Sequence, residues 1–239
     1  LNPMNENLLN QIFRIRKIEE TIAEIYPSDK IQSPVHLSNG QEAVAVGVCN
    51  HLEITDLVFG SYRGHALYLA KGGNLKKMMA ELFGKRTGCG KGKGGSMHLA
   101  DKESGVMGTS AIVSSTISHA VGAAYAAKKR KSGQVIVCFF GEGATGEGVY
   151  HESLNFAALH RVPVLFLCQD NGLAVHARLQ ERQSFNLSTL ISAYGIPYYE
   201  VKEGYDLMKV CEISKIAIQN VREIGSPVFL KINIARYRE

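Results

Sequence analysis

The stretch from Gln134 to Asn171 constrains the fold more than any other part of the sequence. It opens with the apolar run Val135-Ile-Val-Cys-Phe-Phe140 and passes into Gly141-Glu-Gly-Ala-Thr-Gly-Glu-Gly148. After a second apolar run it ends at Gln169-Asp-Asn171. A run that is apolar at every position, not at alternate ones, suits a strand covered on both faces, the habit of central strands in parallel sheets. A glycine turn directly after such a strand and before a helix brings backbone N–H groups and a positive dipole end to one sheet edge. The helix then returns the chain as a parallel neighbour whose end carries Asp170 and Asn171 at that same edge. An anion cradle thus lies beside two side chains that offer oxygen. A diphosphate held through a divalent metal needs both.

The rest of the chain continues the alternation. The sequence predicts helices over 7–26, 40–52, 74–84, 116–130, about 147–160, 188–194 and 206–223, and strands over 134–140, 163–168, 198–201 and 227–234. In the first helix Leu8, Leu9, Ile12, Ile15, Ile18, Ile22 and Ile25 share one stripe, and Pro27 ends it. Strands alternating with helices predict an α/β protein with an open, mostly parallel sheet and helices on both faces. The 239 residues suffice for one large domain with a full core. No repeat or linker divides them, so 1–239 reads as a single domain. The stretch 84–108 is rich in glycine and poor in large apolar residues. It reads as a long loop, functional or disordered, with no packed element.

Composition narrows the function. Hydrophobic residues make up 45% and charged residues 21%, as in ordinary soluble proteins. The net charge of +5 is either an unspecialised basic surface or Arg and Lys gathered near an anionic ligand. No basic helix interleaved with aromatics is present, which argues against a nucleic-acid partner. The five cysteines are scattered, odd in number and without a C-x-x-C pair, so neither zinc nor a disulfide framework is indicated. Cys138 and Cys168 read as buried thiols, which fits a reducing compartment. No run approaches the roughly 18–20 apolar residues that span a bilayer. The expected location is cytoplasmic, or the mitochondrial matrix if a leader before Leu1 has been removed.

Gly141 to Gly146 also satisfies G-x-G-x-x-G, and Asp170 falls near where a ribose-binding acid would sit, so a nicotinamide site stays open at this point. Glu142 counts against it, because a carboxylate between the first two glycines repels a pyrophosphate unless a cation intervenes. Magnesium resolves this by bridging carboxylates to phosphates. A plain alternative is a turn closing a βα connection with Glu142 as a solvated acid. The Gly-Lys pairs between 90 and 95 do not complete a P-loop.

Further motifs sharpen the reading. They are Val35-His-Leu-Ser-Asn-Gly-Gln-Glu-Ala43, Ser61-Tyr-Arg-Gly-His65, Gly90-Lys-Gly-Lys-Gly-Gly-Ser-Met-His98 and Glu152-Ser-Leu-Asn-Phe-Ala-Ala158. With Gly141-Glu-Gly-Ala144 and Asp170-Asn171, the chain from about residue 8 onward resembles the alpha subunits of 2-oxo-acid dehydrogenase decarboxylases, the pyruvate and acetoin dehydrogenase type. The resemblance implies a thiamine diphosphate-binding fold, with thiamine diphosphate and Mg²⁺ as cofactors. It implies decarboxylation of a pyruvate-like 2-oxo acid and transfer of the acyl group to a lipoyl acceptor. The metal would be held by Glu142, Asn171 and the Leu173 carbonyl. Tyr62 and Arg63 would hold the diphosphate, with Gly141, Gly143 and Ala144 around it. Ser114 and Thr116 would meet the aminopyrimidine through backbone atoms, and His36 would face the substrate. Each has an ordinary structural alternative: Tyr62-Arg63 as a surface turn, His36 as a hydrogen-bonded structural residue.

The resemblance further implies a beta subunit that supplies the activating glutamate, an α2β2 assembly and a lipoyl acyltransferase as acceptor. Three positions depart from the family pattern. Glu142 stands for aspartate, Asp170 for the first asparagine, and Arg238-Glu239 stand where a histidine-rich loop begins. The rival readings are a carboligase or acyloin-cleaving subunit with the same cofactor, an NAD-dependent oxidoreductase, and a non-catalytic partner that has lost its metal site.

Overall fold

The computed structural model describes residues 3–31 and 33–237. Its first elements are α1 (Pro3–Ile25), α2 (Glu42–Cys49), β1 (Leu57–Ser61), α3 (His65–Ala70), α4 (Leu75–Leu82) and β2 (Val106–Ser110). Then follow α5 (Ser115–Arg130), β3 (Ile136–Gly141), α6 (Gly148–His160) and β4 (Val164–Asp170). A small hairpin, β5 (Leu173–Ala174) and β6 (Ala177–Arg178), leads into α7 (Leu179–Arg182). The chain closes with α8 (Leu187–Ala193), β7 (Tyr198–Val201), α9 (Leu207–Ile224) and β8 (Val228–Asn233).

Six strands form one sheet in the order β2-β1-β3-β4-β8-β7, and every neighbouring pair is parallel. The expected α/β architecture is therefore the observed one. Its core has two layers. Val137 and Phe139 of β3 face the side where α1, α2 and α9 pack, while Ile136, Cys138 and Phe140 face the side of α5, α6 and α8. That alternation explains why β3 is apolar throughout. Along α1, Leu8, Ile15 and Ile22 are buried at intervals of seven, and Glu19 is buried beside them.

Three parts of the sequence reading need correction. Strand β1 went unseen, because five residues with a glycine inside give a weak pattern. The segment 84–108 is not without packed structure, since it leads into the edge strand β2, whose Val106 is fully buried. Its glycines are organised by a side chain outside the segment: the buried Glu81 carboxylate accepts N–H bonds from Gly90, Gly92 and Gly94 at 2.7–2.8 Å and from Gly95 at 3.3 Å. Burial pushes this carboxyl's pKa up, but the four donors outweigh it and hold it below the ordinary glutamate value. Finally, the stretch after Asn171 contains the hairpin β5–β6 and α7, which no periodicity announced.

Candidate active site

The chain crosses from β1 outward to β2 and then back over β1 to β3, so the winding direction reverses between β1 and β3. Open α/β sheets bind ligands at such switch points, outside the carboxyl ends of the strands. A cavity of about 230 Å³ opens there. Its walls include Tyr62 and Arg63 after β1, Ser114 and Thr116 at the start of α5, Gly141, Glu142, Gly143 and Ala144 after β3, and Asn171 and Leu173 after β4. Ten of the residues singled out in the sequence thus converge on one cavity. His36, the eleventh, stands behind that wall, its ring leaning on Tyr62 with centroids 4.7 Å apart.

Local chemistry explains how each group is held. Arg63 donates from Nη1 to the Leu37 carbonyl at 2.9 Å, and its guanidinium lies 5.7 Å from the Tyr62 ring centre. The Ser38 hydroxyl donates to the Arg63 carbonyl at 3.4 Å, stitching the His36 segment to the turn after β1. Beneath that seam lies a fully buried chain of polar groups. The Ser38 N–H donates to Glu19 at 3.0 Å, the other Glu19 oxygen is 3.0 Å from His65 Nδ1, and His65 Nε2 is 2.8 Å from Ser96 Oγ. Buried groups of this kind fix a loop only when all are partnered, as these are.

Ser114 takes a left-handed backbone, φ 65°, rare for a side-chain-bearing residue. Its hydroxyl donates to the Ala144 carbonyl at 2.7 Å, which ties the start of α5 to the glycine turn. Ser114 and Thr116 are both buried and both line the cavity. Glu142 is buried as well, and its Oε1 lies 2.6 Å from Arg182 Nη2. Burial pushes the Glu142 carboxyl's pKa up and nearby Asp170 adds to that, while Arg182 pulls it back. Asp170 has its own partner, Lys231 Nζ at 3.1 Å, and accepts the Gly172 N–H. Asn171 Oδ1 accepts the Leu173 N–H at 2.9 Å. Among the described residues no cluster of three or more His, Cys, Asp or Glu forms a metal cage.

Several cavity residues were not singled out beforehand: Gln41, Glu147, Gln169 and Arg236 among them. Gln41, Glu147 and Gln169 lay within motifs already quoted and carried a signal that went unused. Arg182 had none, for only the fold brings it to Glu142.

The fold places the chain among thiamine diphosphate-binding folds. Transketolase from Campylobacter jejuni superposes with a TM-score of 0.64 over 82% of this chain and 33% of its own, at 20% identity. The chain belongs to the dehydrogenase E1 component family, whose model matches residues 10–239. Among its relatives is the alpha subunit of acetoin:2,6-dichlorophenolindophenol oxidoreductase from Bacillus subtilis, 38% identical over 94% of this chain and 67% of that protein. Another is pyruvate dehydrogenase E1 component subunit alpha-3, chloroplastic, from Arabidopsis thaliana, 36% identical over 93% of this chain and 54% of the relative. The resemblance to alpha subunits of thiamine diphosphate-dependent 2-oxo-acid dehydrogenases is thereby established. No helix among the described residues is long and apolar enough to cross a membrane.

Proposed function

We propose that this chain supplies the diphosphate-holding half of a decarboxylase acting on a small, pyruvate-like 2-oxo acid. The observation that carries the reading is the single cavity at the switch point. It joins a cation-bearing turn, Tyr62-Arg63, to the glycine turn 141–144 and to oxygen donors from two neighbouring strand ends. Those donors fit a magnesium diphosphate by type: a carboxylate at Glu142, an amide oxygen at Asn171 and a backbone carbonyl at Leu173, all hard oxygen ligands. Asn171 Oδ1 has a lone pair to spare beyond its one N–H partner. Gly141 leaves open space, for a methyl added there would find its nearest neighbour 3.9 Å away.

When bound, thiamine diphosphate acts as the electron sink for the carbanion left by decarboxylation. The chain's own residues hold, orient and shield. Arg63 offers a fork for parallel hydrogen bonds to phosphate oxygens. Gly143 and Ala144 present backbone groups to the same oxygens. Ser114 and Thr116 offer backbone atoms to the aminopyrimidine. His36 leans on Tyr62 from outside the cavity lining, and its imidazole would hold or donate a proton to a substrate carbonyl brought to that edge. The activating glutamate comes from a beta subunit in an α2β2 assembly, and a lipoyl acyltransferase receives the acyl group.

A second reading keeps the cofactor and changes the fate of the carbanion to acyloin cleavage or carboligation. The acetoin-linked name of the Bacillus subtilis relative favours it. The NAD reading loses ground because Asp170, its ribose-binding acid, is already engaged by Lys231 and Gly172. Calorimetric titration of thiamine diphosphate, with and without Mg²⁺, into the chain co-expressed with its beta partner tests the proposal, with NAD as the control. Magnesium-dependent binding is expected. Binding of NAD in place of thiamine diphosphate would refute it.

A further inference from the structure

Both acids at the proposed metal site are already neutralised from within the chain. Lys231 holds Asp170 at 3.1 Å, and Arg182 holds Glu142 at 2.6 Å. The two ion pairs differ in kind. Lys231 belongs to β8, a central strand, and Glu200 of β7 shares its ammonium at 3.2 Å. Arg182 belongs to α7, a single turn at the end of the stretch that covers the glycine loop.

That stretch meets the glycine turn at three places, Ala174, Arg182 and Gln183. The hairpin β5–β6 approaches the glycine turn closely, since a methyl added at Gly143 would lie 3.0 Å from the Ala174 side chain. Its tip is Val175, 73% exposed and at φ 54°, a backbone region unfavourable for a β-branched residue. Beyond α7, the Gln183 side chain lies 2.9 Å from the Thr145 hydroxyl of the glycine turn. Arg182 itself is an incompletely satisfied occupant, because its Nε is buried without a hydrogen-bond partner.

We propose that Arg182 is a displaceable internal counter-ion, which competes with the divalent cation for the Glu142 oxygen and withdraws with α7 when the cation binds. The proposal rests on the magnesium diphosphate reading of the cavity. A second cavity, about 210 Å³, shares Glu142 with the first and is also lined by Leu179, Gln183, Asp170, Glu200 and Lys231. Asp170 and Glu200 already share the Lys231 ammonium, so this cavity offers the withdrawn guanidinium space beside a polar wall and no unpaired acid. Arg182 keeps a buried acid neutral without metal, and its departure restores the negative charge that a cation requires.

The test is the affinity for Mn²⁺, read by electron paramagnetic resonance in the presence of saturating thiamine diphosphate. The protein is the full chain with its beta partner, and no turnover is needed. Arg182→Met removes the competitor and is expected to tighten Mn²⁺ at least tenfold. It should also enlarge the rise in Tm that Mn²⁺ produces. Equal or weaker affinity in Arg182→Met than in the parent overturns the counter-ion role while leaving the metal reading intact. Absence of Mn²⁺ binding in both proteins removes the metal reading and this proposal with it. Should Arg182→Met not fold, Arg182→Gln removes the charge while keeping a hydrogen-bond donor beside Glu142 and is expected to tighten Mn²⁺ severalfold. Unchanged or weaker binding there overturns the proposal equally.

Discussion

Arg63 and Glu81 show how differently one charged side chain can serve the same molecule. Arg63 faces the cavity, and its Ala variant is expected to weaken thiamine diphosphate binding by about 1.5–3 kcal/mol, the range for hydrogen bonds to charged groups. Calorimetry would show this as roughly a ten- to hundredfold rise in Kd, only partly restored by Lys, which lacks the fork. Glu81 instead folds a loop onto itself. Its carboxyl titrates below the ordinary value of 4.5 in the folded protein, so the stability it adds is fully present above that value. That stability is lost as pH falls through the lower, folded-state pKa. Glu81→Gln is expected to flatten this acid limb and to raise protease cleavage within 84–95, measured by urea melts across pH and by limited proteolysis. An unchanged acid limb would show that the four glycine bonds do not hold the carboxylate.

Between elements, the close approach of α2 to α9 turns on Gly47. A methyl there would sit 2.7 Å from Val210 Cγ1, and Val210 is buried and stiff about χ1. Gly47→Ala gains about 1 kcal/mol of helix propensity. It incurs about 1–3 kcal/mol of overpacking, so a small net loss of stability is expected in urea melts. A stabilised variant would mean that α9 yields freely. The elements also show what the sequence could and could not disclose. The strand of 134–140 and the strand of 163–168 were legible because each is an unbroken apolar run, and the helix between them because the glycine turn opens it and Pro163 follows it. Their ends moved only slightly, to 136–141, 148–160 and 164–170. Strand β2 was hidden because its hydrophobic content is low and its glycine neighbours imitate a loop. The glycine turn, the Tyr-Arg turn and the Asp-Asn pair were legible because their chemistry is local. Arg182 reaches Glu142 across forty positions of sequence, and no short-range pattern encodes such a pairing.

Considered as a whole, the molecule separates its stability from its site. Asp56 lies at the amino-terminal edge of the sheet, opposite the cavity. Fully buried, it accepts N–H bonds from Glu53 and Val135 at 2.8 Å and from Arg222 of α9 at 2.6 Å. It therefore ties β1, β3 and α9 together. Asp56→Ala is expected to lower stability by about 3 kcal/mol, the lower end for breaking a buried ion pair, because Arg222 keeps access to water. Thiamine diphosphate affinity should stay unchanged in the folded fraction. A parallel loss of affinity would show that the two edges are coupled. On the proposed shared site, the chain co-expressed with a beta subunit is expected to bind thiamine diphosphate far more tightly than the chain by itself, measured by calorimetry; equal affinities would place the whole site in this chain.

The pairing of β3 with β4 runs in unbroken register from Ile136 opposite Val164 to Gly141 opposite Gln169. The gap between Glu142 and Asn171 is therefore set across the sheet and not along the chain. The turn between α6 and β4 can lengthen or shorten over evolutionary time without moving either group. A single deletion inside β4 would reverse the facing of every later side chain of that strand and bring Gly172 to the place of Asn171. Length variation among descendants of this sequence should accordingly collect in that turn and spare the paired strands, a pattern that a library of one-residue deletions would reproduce within a single selection.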